Sequence, residues 1–110
     1  MYLKLEPIDF QKDVIEASEH SPVLVDFWAE WCGPCHMLSP TLEKLAEEAG
    51  EDWILVKVNT ELQPDIAMKY SIRSIPNVKM FYKGEISSEF VGAIPESEIN
   101  NYLDKNLPKE

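Results

Sequence analysis

The spacing of apolar and polar residues along the chain predicts an alternation of strands and helices. Residues 23–28 and 53–59 form apolar runs, each interrupted by one charge, which is typical of strands that are buried on both faces in a parallel sheet. Between these runs, Leu38, Leu42 and Leu45 recur at helical spacing, with charged side chains on the opposite side. This part of the chain therefore predicts two central strands joined by a long helix.

Shorter segments flank this central unit. Residues 1–5 alternate weakly between apolar and polar and predict a short edge strand. Asp9 is a candidate N-cap for a helix over residues 10–19 that has an incomplete apolar face. Pro64 fits the first turn of a further short helix over residues 64–70. These segments extend the alternation of strands and helices in both directions.

The last part of the chain predicts antiparallel pairing. Residues 77–82 and 86–91 flank Gly84, which is typical of a hairpin with glycine in its turn, and residues 96–106 predict a final helix. The predicted order is β-α-β-α-β-α-β-β-α over a single domain, residues 1–110. Such an order gives an α/β fold with a central mixed sheet of about five strands and helices on both faces.

Composition and charge restrict the functions that this domain can have. The 110 residues are 45% hydrophobic and 27% charged, which is typical of a soluble globular domain with its own core. The net charge of −10 argues against binding to nucleic acids or to anionic membranes. The first residues lack an apolar run of signal-peptide length, and the apolar stretch around Val23 is broken by Asp26. We therefore expect a cytoplasmic monomer.

The two cysteines, Cys32 and Cys35, are the strongest candidates for chemistry. They lie at the start of the predicted long helix, separated by Gly33 and Pro34. A chain without an export signal has little use for a structural disulfide, so redox catalysis or metal binding is favoured. Backbone N–H groups at a helix N-terminus stabilise a thiolate, which predicts a lowered pKa and a nucleophilic role for Cys32. Cys35, one turn later and more buried, is expected to keep its proton until it is needed.

Two charged residues lie inside the predicted central strands. Burial makes ionisation of Asp26 costly, so its pKa is expected to rise toward neutrality, where the carboxylate can accept the proton of Cys35 directly or through a water. Lys57 is the comparable charge in the second strand and could pair with Asp26. The alternative is that each is a paired or edge-exposed polar residue without a role in catalysis.

The surroundings of the cysteines carry a family resemblance. The run Trp31-Cys32-Gly33-Pro34-Cys35, which follows the strand at residues 23–28, resembles the active site of the thioredoxin family. The likeness covers nearly the whole chain and implies a thioredoxin fold and the activity of a protein-disulfide reductase. Further positions that match the family pattern are Asp26, Pro40, Lys57, Ile75, Pro76, Gly84 and Gly92.

The resemblance also implies a mechanism and a set of partners. The Cys32 thiolate attacks a disulfide of a client protein, and Cys35 then releases the reduced client, which leaves Cys32 and Cys35 joined in a redox disulfide. Asp26 becomes a functional residue and Lys57 its support. Electrons return from a separate thioredoxin reductase, linked to NADPH or to ferredoxin, and the domain itself binds no cofactor and no metal. The expected partners are therefore disulfide-containing client proteins and that reductase.

A client-binding groove beside the cysteines follows from the same resemblance. In the family, the proline at the position of Pro76 has a cis peptide bond and lies against the cysteines, so we expect a cis bond between Ile75 and Pro76. Trp31, Ile75, Pro76, Gly92 and Ala93 are then expected to form a shallow apolar groove, in which glycine allows close approach of a client backbone.

Two residues depart from the commonest family pattern. His36 stands where many relatives have lysine or arginine, so the charge near Cys32 is expected to depend on pH around neutrality. The alternative is that His36 is an exposed residue with little influence. Asn77 stands where threonine is frequent, and the sequence assigns no effect to it. Gly33, Pro34 and His36 are therefore the residues expected to shape and tune the redox pair.

Other functions fit parts of the same sequence. Residues 32–36 also match the Cys-x-x-Cys-His signature of c-type haem attachment, but that function leaves Asp26 and the Ile75 and Pro76 pair unexplained. A zinc site is disfavoured because one cysteine pair and two histidines lack a second ligand pair. Two alternatives keep the fold: a disulfide oxidase or isomerase, and a redox-inert binding or chaperone module.

Overall fold

A four-stranded mixed sheet forms the centre of the computed structural model, which describes residues 1–5 and 7–109. β1 (Val23–Trp28) and β2 (Ile54–Asn59) are parallel, whereas β3 (Asn77–Tyr82) is antiparallel to both β1 and β4 (Glu85–Val91). The predicted parallel crossover and the antiparallel hairpin are therefore confirmed. The spatial order of the strands is β2-β1-β3-β4.

The predicted fifth strand is wrong. Residues 1–5 lie beside β2 at the sheet edge, but the segment contributes an isolated bridge between Tyr2 and Leu55 rather than a strand. A backbone bond from the N–H of Leu3 to the carbonyl of Leu55, 3.0 Å long, accompanies the bridge. The alternation is only a few residues long, and Pro7 cannot donate a ladder hydrogen bond. The segment therefore pairs at the expected edge without extending the sheet.

Helices cover both faces of the sheet. α1 (Gly33–Ala49) contains Pro40, and it ends before Gly50, where the sequence predicts the end of the long helix. The short second helix and the final helix also form where the sequence predicts them. The helical elements are α1 (Gly33–Ala49), α2 (Pro64–Lys69), α3 (Glu96–Asn106) and, before β1, a π-helical turn (Gln11–Glu16) that continues into a 3-10 turn (Ala17–Glu19).

The segment before β1 differs from the α-helix predicted over residues 10–19. The N-cap of the π-helical turn is Phe10 rather than the predicted Asp9, although Asp9 Oδ1 accepts the N–H of Lys12 at 3.1 Å, as a capping side chain does. Near its end, Ser18 Oγ accepts the N–H of Gly84 in the β3–β4 turn at 2.9 Å. The incomplete apolar face supports a regular α-helix only weakly. The contacts at its two ends therefore hold this segment as a wider π-helical turn followed by a tighter 3-10 turn.

Alternation along β1 divides the core into two clusters. Leu24 points to one face of the sheet, where it packs with Leu38 and Leu42 of α1. Val25 points to the other face and packs with the helical segment that precedes β1. Because successive side chains of a strand point to opposite faces, Asp26 lies on the α1 side. The charged residue of β1 is thus enclosed between the sheet and the helix that carries the cysteines.

Candidate active site

Cys32 and Cys35 occupy the N-terminal turn of α1. Cys32 is the N-cap residue, and its Sγ accepts the backbone N–H of Cys35 at 3.2 Å. Gly33 and Pro34 form the first helical residues between them, where a proline removes an N–H that would have no helical partner. Cys32 and Cys35 are joined as a disulfide pair. The local sequence thus produces both the pairing of the cysteines and an N–H directed at Cys32.

The two cysteines differ in exposure in the predicted sense. Cys35 is fully buried, whereas Cys32 keeps 3% of its surface exposed. Both pack with Ala29, and Trp28 and Ile75 cover the same small cluster. Both cysteines are thus buried, and the small exposed fraction of the pair belongs to Cys32.

The loop before β3 forms the opposite side of the site. The carbonyl oxygen of Ile75 lies 3.8 Å from Cys32 Sγ, and the Ile75–Pro76 peptide bond is cis, as predicted. Gly92 follows β4, donates its N–H to the carbonyl of Pro76 at 2.9 Å and has a φ of +95°, which favours glycine. Ala93 comes next and is exposed. The fold thus brings three predicted groove residues, Ile75, Pro76 and Gly92, to the side of Cys32.

Exposed apolar side chains flank the cysteine pair in the sequence. Trp31 precedes Cys32 directly, and 70% of its surface is exposed. Met37, in the first turns of α1, is 74% exposed. Both side chains are available for contact with another molecule, whereas Trp28 is half-buried and packs under the site.

Asp26 is fully buried on the α1 side of β1. Neither of its carboxylate oxygens has a hydrogen-bond partner among the described residues. Desolvation raises the pKa of Asp26 from 3.8 to about 7, although the nearby charge of Lys57 lowers this pKa and that of Glu43 raises it. The predicted rise toward neutrality is confirmed, so Asp26 changes its charge near physiological pH.

Lys57 is the register partner of Asp26 across β1 and β2, but the side-chain pairing that the sequence allowed between them is not formed. Lys57 Nζ lies 3.2 Å from Oε2 of Glu43 on α1 and 4.7 Å from the centre of a Trp28 ring. The Glu43 side chain is partly exposed and stays partly hydrated. It is therefore a less costly ionised partner for the ammonium than the buried carboxylate of Asp26.

Glu43 is a site residue that the sequence interpretation missed. The helical pattern places it on the charged side of α1, together with several other glutamates, and gives no reason to single it out. One signal was present. Glu43 directly follows Leu42, so it stands at the border of the apolar stripe, where a side chain can reach the sheet.

The His36 side chain contacts residues that precede the cysteines. Its Nε2 donates a hydrogen bond to the carbonyl of Glu30 at 2.7 Å, and its ring meets Trp28 edge to face with 6.0 Å between ring centres. Any effect of His36 charge on Cys32 therefore acts through space. The tuning role of His36 stays a prediction.

Asn77 links the start of β3 to β4. Its Nδ2 donates to Oε1 of Glu89 at 3.2 Å, and the same oxygen accepts a bond of 2.6 Å from Nζ of the buried Lys79. The Asn77 Oδ1 atom is buried and has no partner among the described residues. Asn77 thus holds the strand end next to Pro76 against its neighbour.

A cavity of about 530 Å³ opens between the N-terminal residues and the edge of the sheet. Its walls include Trp28, and the ion pair of Lys57 and Glu43 lies on its surface. The cavity therefore gives this ion pair room to move and access to solvent.

Residues 1–5 and 7–109 contain neither a cluster of metal-binding side chains nor a membrane-spanning helix. In this part of the chain, no three or more His, Cys, Asp or Glu side chains cluster so as to hold a metal ion. None of the helices there has both the length and the apolar character needed to span a membrane.

Comparison with known proteins gives concordant matches. The family model described as Thioredoxin matches residues 1–105, a range that includes all of the site. The chain is 45% identical over 98 residues to Thioredoxin 1 of Synechococcus elongatus, which covers 89% of this chain and 90% of that protein. It is 46% identical over 98 residues to the thioredoxin of Pyropia yezoensis, with the same coverage of 89% and 90%. It is 44% identical over 99 residues to Thioredoxin C-2 of Corynebacterium nephridii, which covers 90% of each chain.

Proposed function

The chain belongs to the thioredoxin family, and on that premise we propose how its residues carry out protein-disulfide reduction. It is a thiol-disulfide oxidoreductase with a redox-active cysteine pair. The observation that supports our assignment of roles is the N–H of Cys35, which points at Cys32 Sγ from 3.2 Å. A hydrogen bond to sulfur at a helix N-terminus favours the thiolate over the thiol, so Cys32 is the nucleophile.

In the first step, the Cys32 thiolate attacks one sulfur of a disulfide in a client protein. A bond forms between Cys32 and that sulfur while the S–S bond of the client breaks. The second client sulfur leaves as a thiolate and takes up a proton. The client is then held to the enzyme by a mixed disulfide.

In the second step, Cys35 resolves the mixed disulfide. The carboxylate of Asp26 accepts the proton of Cys35, directly or through a water, and the new thiolate attacks Cys32 Sγ. The Cys32–Cys35 bond forms, and the remaining client sulfur leaves as a thiolate that is protonated. The client disulfide has gained two electrons from the cysteine pair, and its two protons replace the one that Cys32 lost to the solvent and the one that Cys35 passed to Asp26. A pKa of about 7 suits Asp26 to taking up and releasing this proton near neutral pH.

The groove beside Cys32 binds the client. Ile75, Pro76 and Gly92 are held together by backbone contacts, and Ala93 and the exposed Trp31 extend the apolar surface. An extended client segment laid across these residues brings its disulfide to the accessible side of Cys32. The reactivity of the cysteine pair is adjusted by its other neighbours, Gly33, Pro34 and His36. Lys57 supports the role of Asp26 through its charge, which lowers the pKa of the Asp26 carboxyl group.

Proteins of this family generally act on disulfide substrates, need no bound cofactor and are reduced by a reductase. For this chain, the partners are disulfide-containing client proteins and a thioredoxin reductase that draws on NADPH or ferredoxin. We place the protein in the cytoplasm as a monomer.

Two single-cysteine variants test the assignment of roles. Cys35→Ser should form a stable mixed disulfide with a disulfide-containing protein substrate, because Cys32 attacks and nothing resolves the product. Cys32→Ser should form none and should reduce no substrate. Non-reducing electrophoresis and mass spectrometry of the adducts distinguish the two. An adduct through Cys35 in the Cys32→Ser variant, with none in the other, would reverse the roles.

The reduction potential of the Cys32–Cys35 pair separates reduction from the reverse chemistry. Equilibration with glutathione buffers should give a potential below the cytosolic poise, as a reductant requires. A value well above that poise would favour a disulfide oxidase or isomerase. Retention of biological function by Cys32→Ser would favour a redox-inert binding or chaperone module.

A further inference from the structure

Two carboxylates compete for one ammonium group beneath the active site. The Lys57 side chain starts beside Asp26, because the two residues are register partners on the same face of parallel strands. Its Nζ nevertheless lies 3.2 Å from Oε2 of Glu43, and both Asp26 oxygens are left without a partner among the described residues. Lys57 is 15% exposed and Glu43 36% exposed, whereas Asp26 is fully buried.

The charges around Asp26 come from the elements packed on either side of it. Lys57 extends from β2 and Glu43 from α1, and both act on the Asp26 carboxyl group. On β3, the residue directly across from Asp26 is the apolar Val78. Among the described residues, Lys4 and Glu30 are the further charged residues that line the cavity beyond the Lys57–Glu43 pair, and both are exposed.

We propose that Glu43 is a positioning residue, which holds the Lys57 ammonium on the cavity side of β2 and so prevents it from forming an ion pair with Asp26. The inference rests on the proposed function, in which Asp26 accepts the proton of Cys35. Glu43 does not act on the sulfur atoms. It acts through Lys57 and sets how strong a base the Asp26 carboxylate is.

The geometry supports this role because Lys57 can reach either partner. A lysine has a flexible four-carbon stem, and the cavity of about 530 Å³ leaves its ammonium space to move. If the ammonium turned to Asp26, it would stabilise the carboxylate, and the carboxylate would then bind the proton of Cys35 less well. By keeping Lys57 engaged, Glu43 preserves a carboxyl group that exchanges protons near neutral pH.

The test is the titration of Asp26 in the full chain, followed by NMR of its carboxyl carbon. In Glu43→Gln, the freed Lys57 should pair with Asp26 and move its titration to lower pH by roughly one unit. Glu48→Gln is the matched control, because it removes the same charge from an exposed position of α1 and should leave the titration in place. Glu43→Asp, which keeps the charge, should restore most of the wild-type value.

A second background distinguishes positioning from a direct charge effect. In the Lys57→Met background, adding Glu43→Gln should shift the Asp26 titration by less than half as much as Glu43→Gln does in the wild type. An equal shift in both backgrounds, or no shift in Glu43→Gln alone, would overturn the proposal. These titrations are measured without turnover. Their outcome therefore does not depend on whether Asp26 serves as the proton acceptor, which the kinetics of Asp26→Asn test.

Discussion

Asp26 and Lys57 are register partners of β1 and β2, yet the Lys57 ammonium pairs with Glu43 at 3.2 Å and leaves the Asp26 carboxyl group without a partner among the described residues. The carboxyl group is therefore an ionisable group in apolar surroundings, with a pKa of about 7. Such a group costs stability when it ionises. The same property makes it useful as a proton acceptor, so both the stability and the turnover of this protein should respond to pH near neutrality.

Asp26→Asn should stabilise the oxidised protein above pH 7. The pKa of Asp26 rises from 3.8 to about 7 on folding, so between these values the unfolded chain binds fewer protons and the free energy of unfolding falls as pH rises. At about 1.4 kcal/mol per pKa unit, the difference between the two pKa values destabilises the wild type relative to Asp26→Asn by roughly 4 kcal/mol above pH 7. This destabilisation vanishes below the pKa of 3.8 in the unfolded chain. Urea denaturation of wild type and variant at low, neutral and high pH measures the difference. A constant difference across the range would contradict this account.

The same substitution should slow release of the client from the mixed disulfide. General-base catalysis contributes roughly 10²- to 10⁴-fold, so we expect the resolution step at pH 7 to slow by at least about tenfold. Formation of the mixed disulfide by Cys32 should keep its wild-type rate, which serves as the internal control. Rapid-mixing measurement of single turnovers separates the two steps. Unchanged resolution in Asp26→Asn would remove Asp26 from the mechanism.

Two tryptophans should respond to truncation in opposite ways. Trp31 is 70% exposed, so Trp31→Ala should change the free energy of unfolding by less than about 0.5 kcal/mol but raise the KM for a protein substrate several-fold. Trp53 is 3% exposed within the core, so Trp53→Ala should cost about 3–5 kcal/mol of stability. Denaturation and steady-state kinetics of both variants provide the comparison. An unaltered KM in Trp31→Ala would exclude Trp31 from the client groove.

Gly92 and Gly33 offer a matched pair of glycine-to-alanine substitutions. An added Cβ meets no atom within 4 Å at either position, so steric contact does not distinguish them. Gly92 has a φ of +95°, and Gly92→Ala should cost roughly 1–2 kcal/mol of stability through backbone strain. Gly33 begins α1 without positive φ, and Gly33→Ala should be neutral or slightly stabilising. Equal stabilities of the two variants in denaturant would contradict the strain.

Features that depend on short stretches of chain follow from the sequence. Continuous apolar runs predict the central strands, because a strand that is buried on both faces needs apolar side chains on both. The placement of Cys32 and Cys35 at a helix N-terminus follows from their own spacing and from Pro34 and the apolar stripe behind it. The direction of the shift in the Asp26 pKa follows from burial, its largest cause, which the apolar neighbours of that strand already determine.

Features that depend on a choice between distant partners are decided by the tertiary structure. Residues 1–5 have a strand-like pattern, but only the geometry at the sheet edge reduces them to one bridge. Asp26 is the neighbour of Lys57 across the strands, but α1 places Glu43 beside the Lys57 ammonium, which therefore pairs with Glu43. The Ile75 carbonyl reaches Cys32 through a loop from a distant part of the chain. Periodicity states which face a residue occupies, but competition between partners is settled only by distances and desolvation in the folded molecule.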